Sequence, residues 1–90
     1  MKGFKEFNNK TINEILTIAT TVTWAQDLVI RNIFINNLQE WVEVKSVDCN
    51  KKDVNFTVSK YGVIYYNNDI YMLDEFVQYL NSPEYSEKFI

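Results

Sequence analysis

The sequence predicts an α+β domain: an N-terminal helical hairpin packed on a three- to four-stranded antiparallel sheet, with a broken C-terminal helix. Three observations carry that prediction. A capping signal at Thr11 opens a stretch with helical apolar spacing, the chain alternates in strand fashion from Trp41 onward, and Asp74 and Ser82-Pro83 each restart a helix near the end. The 90 residues fit one domain over 1–90. An apolar content of 47% is enough to build a core and too high for a disordered chain.

Thr11 and Glu14 have the spacing of a capping box, in which each side chain satisfies a free backbone N–H at the helix start. Ile12, Ile15, Leu16 and Ala19 then line one face, and Thr20, Thr21 and Thr23, poor helix formers, are expected to end the helix. Residues 24–38 have two readings. As a second helix capped by Thr23 with Gln26, they place Trp24, Leu28, Ile35 and Leu38 on one side and Ile30, Ile33 and Phe34 on another. As a strand, they use the β-branched run from Leu28 to Ile35, with Asn36-Asn37 turning back onto Trp41. Two successive capping signals favour the helix and hence an αα-hairpin. Residues 1–10, polar with Phe4 and Phe7, read as a short helix or an arm.

Val42 and Val44 alternate with Glu43 and Lys45 in the first clear strand. After the polar loop 48–53, Val54, Phe56 and Val58 alternate with Asn55, Thr57 and Ser59, giving one dry and one wet face. Lys60-Tyr61-Gly62 is a turn. Asn67-Asn68, tolerant of positive φ, closes a tight hairpin between 63–66 and 70–73. Asp74 is expected to cap the next helix, with Glu75 in its first turn and Phe76, Val77 and Leu80 as the apolar side. Ser82, Pro83 and Glu84 start a short terminal helix.

Composition excludes much chemistry. There is no histidine, which removes the commonest general base and metal ligand. A single cysteine, Cys49, permits no intrachain disulfide and no zinc site of the Cys/His type. Gly3 and Gly62 are too far apart to form a phosphate-cradling loop. Asp74 and Glu75 read as helix caps, and Glu40 and Glu43 as a solvated edge. Cys49 lies near Lys51 and Lys52 but lacks a base partner. The expectation is a protein that is not an enzyme and needs no cofactor or metal. No apolar run is long enough to span a membrane and no leader segment is visible, so a cytoplasmic location is expected. The net charge of −3, spread in both signs, gives no basic stripe for duplex DNA.

The hairpin at 63–73 is the unusual segment. A two-residue turn at Asn67-Asn68 sets Tyr65 opposite Ile70 and Ile64 opposite Tyr71. One face then carries Val63, Tyr65, Ile70 and Met72, and the other Ile64, Tyr66 and Tyr71. Burial under helices on one side and an arm or a dimer mate on the other accounts for both faces. The functional reading takes the Tyr66 and Tyr71 face as a docking surface, extended by Tyr61 and Trp41 and rimmed by Asp69.

The reading is therefore a small, non-catalytic protein-binding module with a protein partner. Its concrete form is a phage or mobile-element inhibitor of a host protein, of the anti-defence or anti-CRISPR type, suggested by small size and a composition rich in Asn, Ile and Lys. The first alternative is a helix-turn-helix DNA-binding regulator whose second helix starts at Trp24 and carries Arg31 as its only base; nucleic acid is the less favoured partner. The second is a structural homodimer that buries the aromatic face.

Overall fold

Thr11 starts the first helix as its spacing requires. The Thr11 N–H donates to Glu14 Oε1 at 2.8 Å and the Glu14 N–H donates to Thr11 Oγ1 at 3.2 Å. A computed structural model of the protein describes residues 10–87, so the arm or helix expected at residues 1–9 lies outside the described residues. Helix α1 runs over Ile12–Ala25. The threonines do not end it. The hydroxyls of Thr20 and Thr21 donate to the carbonyl of Thr17 and that of Thr23 donates to Thr20, so each is absorbed within the helix. The helix stops instead at Asp27, whose φ of 52° is left-handed, while the Leu28 N–H turns back to the Thr23 carbonyl at 2.8 Å.

The helical reading of residues 24–38 is corrected. Trp24 and Ala25 finish α1, and Val29–Ile35 is strand β1. The β-branched run prevails because a strand places apolar groups on two faces, which a helix could bury only by being enclosed. The N-terminal helical hairpin is thus one helix followed by a strand. The helix-turn-helix arrangement is absent among the described residues, since Arg31 lies on β1 rather than on a recognition helix. Asn36 makes the turn: its Oδ1 accepts from the Glu40 N–H at 2.6 Å and the Trp41 N–H at 3.0 Å.

Strands β2 (Trp41–Val47), β3 (Asp53–Ser59), β4 (Ile64–Tyr66) and β5 (Asp69–Tyr71) follow. With β1 they form a five-stranded antiparallel meander in chain order, one strand more than expected because residues 29–35 join it. Asn67 and Asn68, at φ 50° and 69°, close the last hairpin in the anticipated register, with Tyr65 opposite Ile70 and Ile64 opposite Tyr71. Gly62, at φ 79°, closes the turn between β3 and β4, and a Cβ there would meet the Lys10 side chain at 2.6 Å.

Helix α2 is Leu73–Leu80 and α3 is Pro83–Glu87. Asp74 is not the cap of α2. That position is Met72, whose N–H donates to Glu75 Oε1 at 2.9 Å, while Asp74 sits inside the first turn. Pro83 opens α3 as read, but the Ser82 hydroxyl donates backward to the Tyr79 carbonyl. No described helix is long and apolar enough to cross a membrane.

Both α1 and α2 pack on the same side of the sheet, which fixes the molecule as α+β. Ile15, Ala19 and Val22 of α1 meet Val42 and Val44 of β2 and Val54, Phe56 and Val58 of β3, all buried. Phe76 of α2 is fully buried among rings: 5.4 Å from Phe56 and 5.3 Å from both Tyr66 and Tyr71, centroid to centroid. Truncating such a ring to alanine costs about 3–5 kcal/mol, a large part of the roughly 5–15 kcal/mol that holds a domain folded. The opposite face of the sheet carries no helix among the described residues.

Candidate functional site

That uncovered face is where the sequence places its unexplained aromatics. Alternation along β2 sends Val42, Val44 and Ser46 into the core and leaves Trp41, Glu43 and Lys45 on the open side. The register carries the open side across the sheet: Phe34 of β1 beside Glu43, Thr57 of β3 beside Glu43, Tyr65 of β4 beside Thr57, and Ile70 of β5 beside Tyr65. Phe34, Tyr65 and Ile70 are exposed to 53%, 43% and 66%, more than core packing leaves to rings and branched chains in series.

Within this face Trp41, Tyr61 and Tyr65 wall a groove floored by Thr57 and Ser59, with Glu40, Glu43 and Lys60 at its rim. Trp41 is steadied on one flank by Phe34, with centroids 5.8 Å apart, and its backbone N–H is held by Asn36. Tyr61 belongs to the turn after β3, where the Ser59 hydroxyl oxygen accepts from the N–H groups of Tyr61 and Val63. Lys60 ties the turn to the start of β2: its N–H donates to the Glu40 carbonyl at 2.7 Å and its Nζ to Glu40 Oε2 at 3.0 Å. The Lys60 Nζ also stands 5.4 Å from the centre of the Tyr61 ring. The hydrogen bond to Glu40 holds the Lys60 ammonium above its ordinary pKa. Hydrogen bonds to Ser59 and Glu40 and the Glu40–Lys60 ion pair therefore hold the groove wall in place.

The structure brings Trp41 and Tyr61 together with Tyr65, apart from Tyr66 and Tyr71, whose patch they were expected to extend. Those two tyrosines lie on the helix-covered side, half-buried, with Tyr66 6.0 Å and Tyr71 5.4 Å from the Tyr79 ring. Helix α2 lands on them because Phe76 and Tyr79 share its inner face, so the face with Tyr66 and Tyr71 is the one the helix covers. Asp69 is exposed beside the hairpin tip and lines a neighbouring hollow with Tyr65, Asn67, Asn68 and Ile70. Phe34 escapes the sequence reading because a helix over 24–38 absorbs it. No local signal separates Tyr65 from Tyr66, because the side of the hairpin that meets Phe76 and Tyr79 is set by where α2 packs.

A second hollow lies at the other end of the open face, among Val29, Arg31, Lys45, Lys51, Asp53 and Asn55. Cys49 is exposed there. Among the described residues no three Cys, Asp or Glu side chains come together as a metal would need. Asp48 organises the loop between β2 and β3. Its Oδ1 accepts from the Asn50 and Lys52 N–H groups and its Oδ2 from the Tyr85 hydroxyl. Burial acts to raise its pKa, but the donors from Lys52, Tyr85 and Asn50 outweigh it and hold the carboxyl below its usual value.

No family model matches the chain, and no curated protein and no solved structure is similar to it at a significant level.

Proposed function

We propose that this chain is a non-catalytic protein-binding module whose docking surface is the open face of the sheet, centred on the Trp41, Tyr61 and Tyr65 groove. The observation that carries this reading is the ordered, solvent-facing aromatic groove on the side of the sheet opposite the helices. Tyrosine and tryptophan supply large contact area at low entropic cost, and a wall held in place by Glu40 and Lys60 spares the cost of ordering on binding. The partner that fits is a protein presenting an apolar or aromatic side chain to the groove. The groove hydroxyls, on Thr57 and Ser59, have no histidine in the chain to activate them, which supports a binding role over a catalytic one. The particular form we favour is an inhibitor carried by a phage or mobile element and acting on a host protein, on the strength of small size and an Asn-, Ile- and Lys-rich composition.

The test is a pull-down with tagged protein, with and without nuclease, comparing wild type with the Tyr61→Ala/Tyr65→Ala double variant. A protein retained after nuclease by wild type and lost by the folded double variant supports the reading. Material released by nuclease replaces it with stacking of single-stranded bases on the same rings. Capture unchanged by the double variant rules the groove out.

A further inference from the structure

Strand β1 has the composition of an interior strand but sits at an edge. Its seven residues, Val29–Ile35, carry Ile30, Ile33 and Ile35 toward the helix side and Val29 and Phe34 toward the open side. Strands covered on both faces are the ones that read as apolar on both. Edge strands are ordinarily blunted by Lys, Pro, an inward charge or brevity. β1 contains no Lys, Pro or acid, and its one irregularity is a bulge at Arg31, between Ile30 and Asn32. Helix α1 packs over β2 and β3 rather than β1. Ile35 accordingly stays 40% exposed on the helix side, Val29 and Phe34 are 58% and 53% exposed on the open side, and among the described residues nothing pairs with the outer edge of the strand.

We infer that a second copy of this chain occupies that edge, β1 against β1 in antiparallel sense about a two-fold axis at Ile33, fusing two five-stranded sheets into one of ten. The choice of a second copy rests on charge. Along β1 and β2 the open face is graded, with Arg31 and Lys45 toward one end and Glu43 toward the other, Glu40 being neutralised by Lys60; the register sets Asn32 beside Lys45 and Phe34 beside Glu43. An antiparallel copy presents the same gradient reversed, so opposite signs meet. With the axis at Ile33, Ile33 faces Ile33 and Asn32 faces Phe34 of the second copy, while the bulge turns Arg31 to the open face beside that pair. Strands stand about 4.8 Å apart, so Arg31 and the second copy's Glu43 are two strands, roughly 10 Å, apart in backbone, within reach of their two side chains. The two Arg31 residues lie four positions off each other's register and do not oppose. The same axis is perpendicular to the sheet, so the open faces of both copies continue into one. This goes beyond the docking reading, and the readouts separate: the dimer is judged by mass and cross-linking, the groove by partner capture.

The experiment uses the full chain. Light scattering on a sizing column is expected to give a dimer mass, and Arg31→Glu to weaken the dimer roughly tenfold, as loss of a close charge pair does, with Glu43→Arg in the same chain restoring it. In a Cys49→Ser background, Ile33→Cys is expected to form an intermolecular disulfide on mild oxidation far faster than Thr20→Cys on the exposed side of α1, because residues paired across an antiparallel axis bring their Cβ atoms close. Circular dichroism checks that each variant is folded, and the cysteine pair keeps the test decisive if the charge reversals are not. A monomer at the highest soluble concentration overturns the inference. So does a dimer that cross-links no better at 33 than at 20, or one that Arg31→Glu leaves intact.

Discussion

The Tyr85 hydroxyl donates to Asp48 Oδ2 at 2.9 Å, joining α3 to the loop between β2 and β3 across 37 residues of sequence. Tyr85 is buried on the same side as the core and stands edge-on to Tyr79, with centroids 5.9 Å apart. The bond gives a short C-terminal helix a fixed seat, and it couples two groups whose pKa values move apart. Asp48 is lowered. Tyr85 is raised, by burial first and by the Asp48 bond second.

Stability should therefore fall at both ends of the pH scale, for opposite reasons. Asp48, depressed in the folded state, contributes stability that is present above the unfolded carboxyl value near 4 and is lost as pH falls through the lower folded value. Tyr85, raised in the folded state, contributes stability that is present below the unfolded tyrosine value near 10 and is lost as pH climbs toward the higher folded value. Tyr85→Phe should cost about 1–2 kcal/mol at neutral pH and flatten the alkaline limb, measured by urea unfolding over pH. An alkaline limb unchanged in Tyr85→Phe assigns it to another group.

The last hairpin offers a sharper backbone test. Asn67 and Asn68 both hold positive φ, a conformation that costs most L-residues about 1–2 kcal/mol. Asn68→Gly should stabilise the protein by up to about 1 kcal/mol, and Asn68→Val should destabilise it by about 1–2 kcal/mol, both read from thermal or urea unfolding. Equal stability in the two variants would mean that the turn is not of this type.

This hairpin is legible in the sequence down to its register, because a two-residue Asn-Asn loop leaves only one way to pair the flanking strands. The Thr11 and Glu14 box is equally legible, since both partners are local. What sequence does not decide is the course of residues 24–38. Val29, Ile30, Ile33 and Ile35 satisfy a helix or a strand when read alone, and the competing signal at Thr23 is a hydroxyl bonded within α1. The choice is made by Asp27 turning left-handed and by β2 lying ready to pair, and the second of these is a long-range fact. The site is hidden for the same reason. Which face of the hairpin is covered depends on where α2 lands, and Tyr66 and Tyr71 look as free as Tyr65 until Phe76 is seen between them.

The N-terminal cap gives a local check on α1. Thr11→Ala removes the acceptor for the Glu14 N–H and should cost about 1 kcal/mol, with Thr11→Ser nearly neutral, both by urea unfolding. Because α1 covers β2 and β3, the loss should appear as lower global stability and not as fraying alone. Hydrogen exchange that changes only in the first turn, with the unfolding midpoint fixed, would show the two to be uncoupled.

The two sides of the sheet should answer mutation in opposite ways, and this contrast separates the core from the proposed docking surface. Tyr65 and Tyr61 face solvent, so Tyr65→Ala and Tyr61→Ala should change folding stability by about 0.5–1 kcal/mol or less, in line with surface substitutions. Tyr71, stacked between Phe76 and Tyr79, should cost about 2–4 kcal/mol on truncation because its ring leaves a void beside a buried neighbour. In partner binding the order should reverse: Tyr65→Ala and Tyr61→Ala should each lose about 2 kcal/mol of affinity, while Tyr71→Phe, which preserves the packing, should bind as wild type. Urea unfolding and titration calorimetry on the same four variants decide the matter. A Tyr71→Phe protein that folds normally and no longer binds would put the docking surface back on the helix side, through the hydroxyl of a ring whose plane is already committed to the core.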